Sequence, residues 1–278
     1  MNPTVSTQDL ETFYAGPYWE QTNSNRSPKY RFEKQFRRAV YFDAQLRKAG
    51  VPGGGRVLEI GSGFGGVVWA LAKLRNMDPY AMELDPNARV FQESLGVRIL
   101  DATSDANPMT SERFDLVVLS HVLEHQLEPW ALLRTAFELV EPSGIVVIEV
   151  PHNHFVVDGS ILHPLAFSTY SLDYLLGNLA DSVVYRTHPG AENVVLPPKY
   201  LFAMARGHSG LLQKSVRRPV PLWASLITQR VATFARNFGP LRGLNSRLSR
   251  VFRKRLDEKV SRLLSDLPAS LGLESQTS

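Results

Sequence analysis

There is no cysteine anywhere in the 278 residues. That excludes a disulfide framework, a cysteine–zinc site and a thiol nucleophile. No run of about 18 apolar residues occurs, so no membrane-spanning helix is expected. The opening stretch, MNPTVSTQDLETFY, lacks the apolar core of a signal peptide, and the cytoplasm is the expected location. Internal repeats and low-complexity tracts are missing too. What remains is ordinary globular composition, 44% hydrophobic and 21% charged, long enough for one full domain plus additions.

Charge is unevenly placed. Through Met204 there are 17 Lys and Arg against 23 Asp and Glu, and beyond it 14 against 4, so the net +4 conceals an acidic body and a basic tail. From Gly207 the tail reads as amphipathic helix, with Leu222, Trp223, Leu226, Ile227, Val231 and Phe234 able to line one face. Arginines fill the rest, and Pro219, Pro221, Gly239 and Gly243 interrupt it. Three readings follow in order: a helical cap or protein-partner surface, a peripheral contact with anionic membrane, and nucleic acid. The last is disfavoured because no recognition module is visible.

Periodicity organises the body. Tyr30 to Lys48 carries Phe32, Phe36, Val40 and Leu46 at roughly helical spacing, and Gly50 to Gly55 breaks the chain. Short apolar runs then alternate with amphipathic stretches. Strands are expected at Val57–Ile60, Tyr80–Leu84, Val97–Leu100, Leu116–Leu119 and Ile145–Val150. Helices are expected near Gly66–Leu74, Pro86–Leu95 and Pro129–Val140. Such alternation predicts βαβ units and a parallel sheet covered on both faces. After a His- and Pro-containing loop come a helix, Ser171–Leu179, and two strands, Ser182–Arg186 and Tyr200–Ala205, suited to an antiparallel pair at the sheet edge.

Leu58-Glu59-Ile60-Gly61-Ser62-Gly63-Phe64-Gly65-Gly66 joins the first strand to the first helix of this alternation. Glycines let a backbone turn sharply and approach a ligand closely. Ligands of open parallel sheets sit at the carboxyl ends of the strands, so a nucleotide-type ligand belongs here. Gly61, Gly63 and Gly66 satisfy G-x-G-x-x-G, and Glu83 follows Gly61 by 22 residues, as in dinucleotide-binding sites. Glu59, two residues before the first glycine, argues the other way. A carboxylate there repels a pyrophosphate and attracts a cationic ligand.

With Glu59 in place, the run V-L-E-I-G-S-G-F-G-G resembles the first motif of the class I S-adenosylmethionine-dependent methyltransferases. A-M-E-L-D-P resembles the second strand, with Glu83 as ribose acid and Leu84 beside it. I-L-D-A resembles the third, with Asp101 at the adenine amino group and Ala102 nearby. F-D-L-V-V-L-S-H-V-L-E-H before Pro129 is similar to the fourth strand and its exit, where Ser120 and His121 fall. Leu139 to Gly144 and then Ile145–Val150 resemble the turn and fifth strand. The resemblance implies a Rossmann-like methyltransferase fold over residues 53–206: a mostly parallel seven-stranded sheet with an antiparallel last strand. An N-terminal helical lid (1–52) and a basic helical C-terminal extension (207–278) flank it. It also implies S-adenosyl-L-methionine as cofactor, held by Glu59, Gly61, Ser62, Gly63, Gly65, Glu83, Leu84, Asp101, Ala102, Ser120 and His121. The expected activity is methyl transfer to a hydroxyl or amine of a small molecule, sugar or lipid-linked glycan. Two alternatives stand beside it: a nicotinamide-dependent oxidoreductase using the same glycines, and a non-catalytic binding module of the same fold.

A hydroxyl acceptor needs a base, and histidine is the natural one near neutral pH. His125 after strand four and His154 after strand five are the candidate bases, ahead of His121 and His152. His121, Glu124 and His125 also offer metal-type donors. Some quinone O-methyltransferases of the superfamily carry E-x-x-E-H here for a divalent metal. This chain has His121 for the first acid, and magnesium prefers oxygen ligands, so no metal is expected. His163 to Leu172 resembles an H-x-x-x-F-[ST]-x-x-S-L segment of a subgroup acting on sugars, lipids and natural products, and is expected to wall the acceptor pocket. Phe13 to Trp19 is expected to cover the methionine end.

Overall fold

The computed structural model describes residues 6–15, 27–101, 111–152, 165–188 and 199–206, together with 254, 257, 258, 261, 262 and 265. The chain divides into two compact units, residues 1–110 with 255–278, and residues 111–254. Seven strands are ordered β3-β2-β1-β4-β5-β7-β6. The pairs β1–β2, β2–β3 and β4–β5 are parallel, and β7 is antiparallel to both β5 and β6. This is the mostly parallel sheet with an antiparallel last strand that the sequence predicts.

The first unit holds α1 (Thr7–Tyr14), α2 (Pro28–Lys48), β1 (Arg56–Ile60), α3 (Gly66–Arg75), β2 (Asp78–Met82), α4 (Pro86–Ser94) and β3 (Arg98–Ile99). α2 starts where Ser27 accepts a hydrogen bond from the Tyr30 N–H with Pro28 in the first turn. It buries Phe32, Phe36, Ala39, Phe42 and Leu46, a stripe at helical spacing. Phe32 and Phe36 pack on Trp69 of α3 at ring-centroid distances of 5.7 and 6.0 Å. α3 is buried from Gly66 through Ala72, as a helix covered on both sides must be. The approach is close at Gly66, where a Cβ atom would lie 2.2 Å from the Phe32 carbonyl oxygen. A buried ion pair, Arg75 to Asp43 at 3.1 Å, ties the helices together, and Arg75 also donates to the carbonyls of Val51 and Pro52. The long N-terminal helix is thus a packed layer of its unit. Asp257, in the C-terminal segment, forms an ion pair with Arg37 on α2.

The second unit holds β4 (Phe114–Ser120), a 3-10 turn (Leu123–His125), α5 (Pro129–Leu139), β5 (Val140–Pro151), α6 (Thr169–Leu176), β6 (Ser182–His188) and β7 (Tyr200–Arg206). β5 begins five residues before the expected Ile145. The turn expected at Glu141–Gly144 nonetheless exists as a bulge, because Phe114 pairs with Val140 while Leu116 pairs with Ile145. Gly144 is needed there, since a Cβ would sit 2.6 Å from Val140 Cγ2 and 2.9 Å from the Asp115 carbonyl oxygen. The Phe-Ser-x-x-Ser-Leu part of the segment after residue 163 is a helix start. Ser168 and Ser171 form a reciprocal capping box on α6, and Phe167 and Leu172 are buried on either side of it.

Candidate functional site

In the first unit the glycine loop runs from the carboxyl end of β1 into α3. Gly61, Gly63 and Gly65 have φ of 68°, 56° and 73°, a left-handed sequence that side-chain-bearing residues rarely adopt. The loop is pinned from three directions. The Gly61 N–H donates to the Met82 carbonyl of β2 at 2.8 Å. Gln92 of α4 donates through Nε2 to the Gly63 carbonyl at 2.7 Å and accepts from Ser62 Oγ at 3.0 Å. Gln35 of α2 donates to the Ser62 carbonyl at 3.0 Å and accepts from the Gly66 N–H at 3.2 Å. Nothing in the local sequence pattern marks Gln35. Gln92 had one available signal, an amide one helical turn after buried Ala88, and it is fully buried itself. Ser62, read as a ligand contact, has its hydroxyl engaged with Gln92.

Glu59 has a different first task from the one its position suggests. Its side chain is buried at the end of β1, and Oε2 accepts the Val68 N–H at 2.9 Å. That N–H is one of the donors α3 leaves without a partner in its first turn. Burial pushes the Glu59 carboxyl well above the usual range, outweighing that hydrogen bond and the charge of Arg38. Glu59 therefore works as a remote helix cap. Burial works against the charge that this position would offer a cationic ligand.

Glu83 lies just past β2, which ends at Met82. Its Oε2 accepts the Gly63 N–H at 2.5 Å, and Oε1 accepts the Leu84 and Asp85 N–H groups at 2.8 and 2.9 Å. A carboxylate offers about four lone-pair positions, so one remains on Oε2 for a further donor. Burial raises its pKa to about 7 against the pull of these N–H groups. Leu84 is exposed beside it. Asp85 caps α4 through the Asn87 N–H at 2.8 Å, ahead of Pro86. Asp101, largely exposed, is paired with Arg89 at 2.5 Å. Ala102 lies outside the described residues.

In the second unit Ser120 and His121 stand at the carboxyl end of β4. His121 has φ of 56°, a conformation that costs roughly 1–2 kcal/mol for a residue with a Cβ. Its N–H donates to the Glu149 carbonyl at 2.9 Å. Its ring lies between two buried carboxylates, Nδ1 at 2.9 Å from Glu124 Oε1 and Nε2 at 3.1 Å from Glu149 Oε1. Burial raises the Glu124 carboxyl, but the charge and hydrogen bond of His121, together with the charge of His125, bring it below its ordinary value. The other carboxylate oxygen of Glu149, Oε2, lies 2.6 Å from Nε2 of His188 at the end of β6. His125 is buried in the 3-10 turn, and His152 is buried with its N–H on the Lys199 carbonyl. The buried Ser120 Oγ and Glu124 Oε2 are without a hydrogen-bond partner among the described residues. Atoms of that kind are ones a ligand can satisfy. His154, the other candidate base, lies outside the described residues, as do His163 and Pro164.

Comparison with known proteins agrees with this arrangement. The methyltransferase-domain family matches residues 32–189, more than half of the chain. Among curated proteins, the ubiquinone biosynthesis O-methyltransferase of Cereibacter sphaeroides (ATCC 17025) is 34% identical over 116 residues, 39% of this chain and 46% of that protein. The one from Azorhizobium caulinodans is 28% identical over 160 residues, 53% of this chain and 63% of that protein. The chain thus spans about half the length of the curated relatives it matches. Among solved structures, magnesium protoporphyrin IX methyltransferase from Synechocystis aligns with a TM-score of 0.53 at 12% identity, covering 73% of this chain and all of that one. The 1,6-didemethyltoxoflavin-N1-methyltransferase of Burkholderia thailandensis aligns at 0.51 and 19% identity, covering 74% and 92%. At such identities the likeness is one of fold. Strand order, glycine loop and family match converge, and the chain belongs to the methyltransferase-domain family.

Proposed function

We propose that this chain transfers a methyl group from S-adenosyl-L-methionine to a hydroxyl or amine of a small-molecule acceptor. The observation that carries the reading is the glycine loop: three glycines at positive φ, pinned by Gln35 and Gln92, with Glu83 closing on the Gly63 N–H. A bulkier loop fails there, because a Cβ on Gly65 would lie 2.7 Å from Gln92 Cγ. Gly61, Gly63 and Gly65 present backbone to the ligand, Glu83 takes a ribose hydroxyl on Oε2, and Asp101 meets the base. Ser62 and Glu59 serve by holding the loop and the first turn of α3.

The cofactor supplies an electrophilic methyl on a sulfonium and leaves as S-adenosylhomocysteine. The protein's part is alignment of the acceptor lone pair with that methyl, which supplies much of the rate enhancement of an in-line displacement. The proton lost from the acceptor goes to a base, for which His125 and His154 remain the candidates. The curated relatives are named O-methyltransferases, which favours oxygen over nitrogen. A sugar or lipid-linked glycan acceptor stays a narrower form of the same proposal. For location, the proposal is a cytoplasmic enzyme whose basic tail caps the first unit, with contact at an anionic membrane as a second use. No described helix is long and apolar enough to cross a membrane. The test is tritium transfer from labelled S-adenosylmethionine to phenolic, amine and glycan acceptors in parallel. Incorporation into one class fixes the acceptor chemistry; none, in protein that binds S-adenosylhomocysteine, removes the activity and leaves a binding module.

A further inference from the structure

Four buried or half-buried side chains of the second unit form one unbroken chain: His188 on β6, Glu149 on β5, His121 at the exit of β4 and Glu124 in the 3-10 turn. The links are 2.6 Å from His188 Nε2 to Glu149 Oε2, 3.1 Å from Glu149 Oε1 to His121 Nε2, and 2.9 Å from His121 Nδ1 to Glu124 Oε1. Both carboxylates are inaccessible, and His121 is the member that keeps solvent exposure, 20% of its side chain. The donors are paired with one another, and among the described residues no group of three is arranged to hold a metal ion.

We infer that Glu149, with His188 behind it, is a positioning residue that fixes His121 as a doubly protonated, immobile imidazolium at the carboxyl end of β4. Donor count sets the protonation of the ring. A neutral imidazole has one N–H and one lone pair, so it serves two ionised carboxylates on its two nitrogens in neither tautomer. The imidazolium serves both. The His188 ring stands 2.6 Å from the other oxygen of Glu149, so this buried carboxyl has an imidazole nitrogen against each of its oxygens. Among the described residues, the groups seen against His121 include Glu124 from the 3-10 turn, Glu149 from β5 and the Tyr200 ring from β7, edge-on at a centroid distance of 4.9 Å. None of these three is a cation competing for the ring nitrogens. The positive φ of His121 fits the same picture, because its main-chain N–H and both ring nitrogens are all tied to Glu149 and Glu124. The ring is held so that it turns neither to take a proton nor to release one at neutral pH. It presents a fixed face to whatever binds beside β4. This deepens the methyl-transfer reading and rests on it for its catalytic meaning. It also makes His121 an orienting group, leaving the base to another residue.

The test begins with ligand-free full-length protein carrying 15N-labelled histidine, His121 being identified by the signals lost in His121→Asn. The expected result at pH 7.5 is imidazolium shifts at both His121 ring nitrogens. Glu149→Gln should convert them to a neutral pattern. His188→Asn, which leaves Glu149 intact and serves if Glu149→Gln fails to fold, should move the same signals. A neutral His121 ring in the wild type, or His121 signals indifferent to both substitutions, overturns the inference. Calorimetry with S-adenosylhomocysteine supplies a second arm. His121→Asn and Glu149→Gln should each weaken binding about five- to tenfold, and the double variant should be no weaker than either alone. Additive losses would make Glu149 a merely structural residue. Wild-type protein that binds no S-adenosylhomocysteine defeats the methyl-transfer reading, while the ring signals still decide the inference.

Discussion

Glu83 holds the glycine loop with a carboxylate whose pKa is near 7, so its protonation and the loop's ligand are linked. A ribose hydroxyl donating to Oε2 favours the ionised form, so binding releases a proton at pH 6. Affinity for S-adenosylhomocysteine should rise about tenfold from pH 6 to pH 8 and then level off. Glu83→Gln should flatten that rise, and calorimetry in buffers of different ionisation heat reads the proton directly. Glu59 carries a sign of its own. Its carboxyl is raised in the folded protein, so the folded state binds the proton more tightly than the unfolded chain does. Its contribution is therefore present below the unfolded value of about 4.3 and is lost as pH rises through the folded value. Glu59→Gln, which keeps an acceptor for the Val68 N–H, should make the variant the more stable protein at pH 8 and reduce the difference at pH 5; urea midpoints measure both. At this scale the sequence reading was uneven for a physical reason. Asp85 caps a helix two residues on and the three glycines set the turn they occupy, so local pattern exposes them; Glu83 reaches Gly63 20 positions back but is marked by its motif spacing from the glycines. Gln35, Gln92, Glu149 and His188 act on residues 27 or more positions away, and nothing local marks them.

At the scale of elements, two glycines carry close approaches of different severity. A Cβ on Gly66 meets backbone, the Phe32 carbonyl at 2.2 Å and the Phe36 nitrogen at 2.9 Å, so α2 has to move off α3. Gly66→Ala should cost about 3 kcal/mol. In Gly144→Ala the closest atom is a Val140 methyl at 2.6 Å, followed by the Asp115 and Glu141 carbonyl oxygens at 2.9 and 3.0 Å, a milder clash than the 2.2 Å approach at Gly66, and the cost should be about 2 kcal/mol. Paired denaturant titrations give the order, and a reversal would mean that the bulge in β5, rather than the α2–α3 contact, is the rigid part. Strand and helix positions were largely legible because each unit's apolar runs have a clean period. The exceptions are ends. β2 stops at Met82 because Glu83 turns its carboxylate back onto the loop, and β5 starts at Val140 because a bulge absorbs Glu141 to Gly144 within the strand. The segment after residue 163 shows the limit of motif reading. Its serines are explained by capping α6, which leaves its share in an acceptor wall as a proposal.

Over the whole molecule, alternation shows the parallel sheet and its antiparallel edge pair, and the ordered motifs carry the family resemblance that implies seven strands; the strand order itself comes from the structure. The acceptor is not legible in the sequence, because it depends on segments whose composition carries no periodic signal. The basic tail belongs to this scale too. The Arg37–Asp257 pair puts part of it against α2, so removing residues 255–278 should lower the thermal midpoint of the first unit measurably if the tail is a cap, and leave it unchanged if the tail serves only a membrane or partner.

The central claim is that the glycine loop is an S-adenosylmethionine site. Titration calorimetry with S-adenosylhomocysteine and, separately, with NAD, on wild type and on Gly63→Arg, tests it most directly. Gly63 sits at φ of 56° under Glu83 and Gln92, so an arginine there blocks the loop. The account predicts micromolar binding of S-adenosylhomocysteine, lost in the variant, and no heat with NAD. Tight NAD binding without a signal from S-adenosylhomocysteine would contradict it.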